Sequence, residues 1–174
     1  ADSLYSYAEK ACLVQLTTPA GNVVLDPLLA PEGMAALGPL LADPAVIKIF
    51  QGADYDLRQL KKAFGFGVHH LADTMVAAQL CGRTGFGLAA LLAEEFGLGL
   101  AKAHQRDDWA RRPLSSEQLL YAALDTAYLL PLWERLKAQL EQLGRLEWAE
   151  EEFALLEQIT PAPPREPTWM DVKG

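Results

Sequence analysis

A chain of 174 residues, half of them apolar, can bury the core of one compact domain, and its composition excludes disorder as the default state. Its net charge of −8 argues against a protein that holds nucleic acid by bulk electrostatics, and no apolar run is long enough to cross a bilayer. The first residues lack the basic-then-apolar pattern of a secretory leader, and two cysteines are too few for a disulfide framework. Buried free thiols at Cys12 and Cys81, a cytoplasmic setting and no membrane partner are therefore expected.

Residues 11–18 and 22–28 are short, apolar and β-branched, and Pro19-Ala20-Gly21 between them has turn chemistry, which predicts a hairpin. Residues 31–41 show helical periodicity with Pro31 in the first turn. Ala45 to Phe50 reads as a buried strand that runs through Gln51 and Gly52 into a helix from Tyr55 to Phe64, ended by Gly65. Two further helices are expected at 73–80 and 87–96, the second closed by Gly97. A polar crossing, 102–112, leads to a long helix that opens on a capping box, with Ser115 as N-cap and Gln118 three residues on. Pro131 should kink or split that helix. An acidic amphipathic helix covers about 146–159, and four prolines in residues 160–167 make a stiff linker. The order is hairpin, helix, strand, then mostly helices, which is an α/β domain with a helical second half.

Asp56 follows an apolar strand and falls in the first turn of a helix, where ligands of open α/β sheets tend to bind. An acid at that place equally serves to complement the helix dipole, as Asp54 could. Tyr121 and Asp125 stand four apart in an otherwise apolar helix, so phenol and carboxylate share one face. A buried Asp there calls for a partner or a metal, whereas a solvated one would need neither. Lys102, Arg106, Arg111 and Arg112, interleaved with Trp109, can contact phosphates, though Trp109 reads more simply as a core residue. His69, His70 and His104 match no zinc spacing, and Asp73-Thr74 reads as a helix cap.

Three stretches, Phe50 to Leu57, Asp73 to Leu80 and Asp108 to Leu129, together resemble the ribonuclease D family of 3′→5′ exonucleases. Ser3 to Tyr7 and Cys12 to Leu16 fit the same family. The resemblance implies a ribonuclease H-like mixed sheet flanked by helices, and two divalent metal ions, Mg or Mn, held by four carboxylates. It implies removal of nucleotides from single-stranded RNA 3′ ends, of the tRNA-processing kind, with DNA an open alternative. By this resemblance Asp56 is the second-motif metal ligand and Asp125 the third, and Tyr121, which marks the tyrosine subclass, holds the attacking water. Gln51 stands where many relatives have His.

The family's first motif, Asp-x-Glu on a first strand, occurs nowhere in the chain. The expectation is an exonuclease domain over 1–143 without its first strand, an acidic helix at 144–160, and a Pro-rich linker at 161–174 toward a helical C-terminal domain. A sheet edge should then stand open or be filled by another chain. Such a fragment should bind metal poorly and turn over little. A catalytically dead binding module of the same fold, and an unrelated α/β domain with structural Tyr121 and Asp125, are the competing readings.

Overall fold

The computed structural model describes residues 11–99 and 104–161. Ser3 to Tyr7, Lys102 and residues 162–174 of the expected linker lie outside them. Strands β1 (Val14–Thr18) and β2 (Gly21–Leu25) form the expected antiparallel hairpin, with Val14 opposite Leu25 and Thr18 opposite Gly21. Gly21 leaves the two-residue turn at φ +138, a conformation that L side chains rarely adopt.

The expected helix over 31–41 is divided, with a 3-10 turn at Pro31–Ala36 and a short helix α1 at Leu37–Ala42. Pro39 explains this: it brings no N–H to the carbonyl four residues back, and its ring crowds that carbonyl, so the tighter turn precedes it. Strand β3 is Lys48–Phe50, shorter than expected, because Asp43 turns the chain just before it. Ala45 N–H donates to Asp43 Oδ1 at 2.8 Å, and Lys48 Nζ donates to the carbonyls of Asp43 and Val46, both at 2.6 Å.

Helix α2 (Ala53–Phe64) returns the chain to β4 (Leu71–Asp73), which pairs in parallel with β3 so that Phe50 faces Asp73. The sequence reading missed β4, since three residues are too few to show a period and Asp73 belongs to both the strand and the next cap. Helices α3 (Thr74–Leu80) and α4 (Leu88–Phe96) follow. The long helix is split, as expected, into α5 (Ser116–Ala127) and α6 (Leu129–Gln142), with Tyr128 at φ −107, ψ 2 between them. Pro131 lies in the first turn of α6, where its missing N–H costs nothing to the new helix but ends the old ladder. Helix α7 is Leu146–Glu157.

Leu132, Leu136 and Leu140 form one fully buried stripe of α6, spaced four apart, and face α3 and α7. Trp133 meets Phe153 of α7 edge-on at 5.7 Å, so the acidic helix belongs to the same core rather than trailing from it. Among the described residues β1 pairs only with β2, and β3 only with β4. Residues 11–19 and 46–51 line one cavity without interruption. A strand face would contribute alternate residues only, so both pairs turn a backbone edge to that cavity. Among the described residues no strand pairs with either of these edges.

Candidate active site

The cavity between the two strand pairs and α5 measures about 1320 Å³, and Gln51, Asp56, His104, Trp109, Tyr121 and Asp125 all line it. Behind the cavity wall, the start of α2 is held by Asp73, which is 1% exposed. Asp73 Oδ1 accepts N–H from Gly52 at 2.9 Å and Met75 at 2.8 Å, and Oδ2 accepts from Ala53 at 2.6 Å. One carboxylate thus caps its own helix, as expected, and also ties down the start of α2. Gly52 permits this at φ +71, and a Cβ there would come within 2.8 Å of Met75 Cε. Thr74 Oγ1 sits 2.9 Å from the Phe50 carbonyl and 2.6 Å from Gln51 Oε1, while Gln51 Nε2 donates to the Phe86 carbonyl at 2.9 Å. The carboxyl end of β3 is therefore rigidly placed.

The two acids in the first turn of α2 part company. Asp54 is an exposed partner of Arg58, with two N–H contacts at 2.9 Å, which hold its carboxyl below the usual range. Asp56 lines the cavity and is exposed to it. Desolvation, with the charge of Asp73 adding to it, pushes the Asp56 carboxyl up. Asp54 is thus spent on Arg58 at the surface, whereas Asp56 lines the cavity.

On α5 the spacing of four brings Tyr121 and Asp125 to the same cavity. Burial pushes the Asp125 carboxyl up to about 6, and no described residue donates a hydrogen bond to it. The phenol of Tyr121 is pushed up by burial and by the charge of Asp125, so it stays protonated near neutral pH. Trp109 lies against Tyr121 at 5.9 Å between ring centroids; it is half-buried at the cavity wall rather than in the core, because α5 offers it a ring to pack on.

The basic residues fall into different environments. Arg106 and Arg111 are exposed. Arg112 uses each of its five N–H groups within the chain: two on Asp26 at 2.6 and 2.9 Å, and the others on the carbonyls of Trp109, Arg111 and Cys12. It fastens the crossing segment to the hairpin and holds the Asp26 carboxyl below its usual range. The sequence offered no sign of that pairing across 86 residues. Of the histidines, His69 lies 3.5 Å from Glu157 and His70 Nδ1 lies 2.8 Å from the Pro44 carbonyl, whereas His104 is at the cavity.

A buried carboxylate without a cation is costly, and hard oxygen ligands of this kind suit Mg²⁺ or Mn²⁺. Asp56 and Asp125 fit as part of such a donor set. They are not all of it: among the described residues no group of three or more His, Cys, Asp or Glu stands close enough to share an ion.

Residues 1–141 match the model of the 3′-5′ exonuclease family. The chain belongs to that family. It is 40% identical over 152 residues to ribonuclease D of Granulibacter bethesdensis, covering 87% of this chain and 38% of the relative. The crystal structure of the catalytic core of RRP6 from Trypanosoma brucei superposes with a TM-score of 0.88 at 32% identity, over 93% of this chain and 45% of that one. Brucella melitensis NrnC with bound Mg²⁺ superposes with a TM-score of 0.73 at 30% identity, over 85% of this chain and 73% of that one. The chain thus spans under half the length of the ribonuclease D relative. These likenesses give the two strand pairs and their helices the ribonuclease H-like architecture of exonuclease domains.

Proposed function

We propose that residues 1–143 are the exonuclease domain of a ribonuclease D-type enzyme that removes nucleotides from single-stranded RNA 3′ ends, as in tRNA trimming. One observation carries the reading: Asp56 and Asp125, two carboxylates raised by desolvation and given no cation by the described residues, line one cavity with Tyr121 a turn from Asp125. Asp56 and Asp125 would hold divalent ions, which supply charge stabilisation at a phosphoryl group and lower the pKa of bound water. Tyr121, protonated and wedged by Trp109, fixes a water by hydrogen bond at the face of Asp125. Trp109 and Tyr121 also offer aromatic surface on which a terminal base can stack. Arg106, Arg111 and Lys102 would meet backbone phosphates farther out. Helix α7 buttresses the unit through Phe153. Among the described residues no helix is long and apolar enough to cross a membrane, and both thiols are free, which supports action in the cytoplasm.

With two of the four carboxylates, this chain should turn over little by itself. The test is 5′-labelled single-stranded RNA with Mn²⁺, given to this chain and to a version extended at its N-terminus by an apolar strand ending in Asp-x-Glu. The extended protein is expected to produce a one-nucleotide ladder from the 3′ end, the chain alone only traces, and Asp125→Asn in the extended protein a loss of at least about 100-fold. Undiminished cleavage by Asp125→Asn would sink the proposal. The incomplete donor set favours one other reading, a catalytically dead RNA-binding module, which predicts RNA binding that survives chelation and no ladder from either protein.

A further inference from the structure

A cavity that accepts an RNA end must accept phosphate, and the described lining of this one is short of positive charge. Lys48 and His104 are the described lining residues that can carry it. Lys48 is committed elsewhere, with its Nζ on the Asp43 and Val46 carbonyls at 2.6 Å and its pKa pushed down by burial. His104 remains. Its Nδ1 lies 2.8 Å from Asp107 Oδ2, and a carboxylate there fixes Nδ1 as the N–H side of the ring. Asp107 is itself anchored by Gln118 Nε2 at 2.9 Å, and Gln118 closes the capping box of α5. The imidazole is therefore fastened to the helix that carries Tyr121 and Asp125, and it meets the Tyr121 ring edge-on at 6.0 Å. With Nδ1 held, Nε2 is left without a partner among the described residues.

We propose that His104, positioned by Asp107, is a phosphate-binding residue of this site. As imidazolium it bridges the Asp107 carboxylate and a non-bridging oxygen of the nucleotide in the cavity. The ligand class is a nucleoside 5′-monophosphate unit, at the end of a chain or released from it. Asp107 faces the ring from the crossing segment, and Glu117 and Tyr121 face it from α5. The assignment rests on the nucleic-acid reading above.

Adenosine and AMP separate the two. Their affinities for the whole chain are measured by titration calorimetry without metal, at about pH 6. His104→Phe keeps a ring against Tyr121 and removes the donor. It is expected to lower the ratio of AMP to adenosine affinity by about tenfold, while adenosine itself changes by less than about twofold. Asp107→Asn should shift the ratio in the same direction by a smaller factor. An unchanged ratio in His104→Phe, with adenosine still bound, overturns the phosphate assignment and leaves the cavity's nucleotide reading standing. If neither compound binds the wild-type chain, both readings fall together.

Discussion

At the junction of α2 and α3 a buried carboxylate, Asp73, receives N–H groups from Gly52, Ala53 and Met75, whereas on α5 Asp125 receives none from any described residue. Asp73 is fully buried and compensated, while Asp125 is half-buried and held against its own solvation. The first arrangement makes a pin that fixes backbone. The second leaves a carboxylate whose charge no described residue offsets, and its cost persists only because the surrounding fold supports it. Asp56 belongs with Asp125, although it shares a helical turn with Asp54, which is an ordinary surface partner of Arg58.

The sharpest way to break this contrast is to remove the pin. Asp73→Ala should cost about 3–5 kcal/mol, since several N–H groups at two helix starts lose one charged acceptor, and urea denaturation will show it as a lower midpoint. Arg112→Ala should come next, at about 2–3 kcal/mol, because it strips Asp26 of its bidentate partner and three carbonyls of their donors. If Arg112 met RNA instead, the same variant would weaken RNA binding and leave the midpoint where it was.

Asp125 should behave in the opposite sense. Its folded pKa, about 6, lies above the ordinary 3.8, so between those values the folded chain binds more protons than the unfolded one. Stability from this group therefore falls as pH rises from about 4 to about 6, by at most roughly 3 kcal/mol and by less where solvent screens the charge, and stays low above that. Asp125→Asn should flatten that part of the pH–stability curve and match or exceed the wild type at neutral pH. A wild-type curve that rises through the same window because of Asp125 would mean the carboxylate is compensated after all.

Much of this could be read from the chain, for reasons that differ by residue. The spacing of Tyr121 and Asp125, the box of Ser115 and Gln118, and the break caused by Pro131 are local, and local chemistry decides them. Asp73 was legible as a cap but not as the tie to Gly52 and Ala53, which depends on β3 and β4 lying side by side. Likewise Arg112 looked like a phosphate contact because its partner, Asp26, is distant in sequence. His104 gave no metal spacing and was set aside; its place emerges only when Asp107 and Tyr121 are seen on either side of it. What sequence leaves open at such positions is whether a charge has been matched, and that is a property of the packed fold.

The smallest expected effect tests the division within one turn of helix. Asp54→Asn removes an exposed ion pair with Arg58, and solvent screening makes such pairs nearly neutral for stability. It should leave the denaturation midpoint, the AMP-to-adenosine ratio and Mn²⁺ binding unchanged. Asp56→Asn, two residues on, should leave stability unharmed or improved, since a desolvated charge is lost, but should abolish whatever Mn²⁺ affinity the chain has by electron paramagnetic resonance titration. Equal effects of the two substitutions on Mn²⁺ would place the metal-seeking charge on the outer face of α2 and not in the cavity. A difference confined to Asp56 would make the cavity wall, rather than the first turn of the helix as such, the source of the ligand.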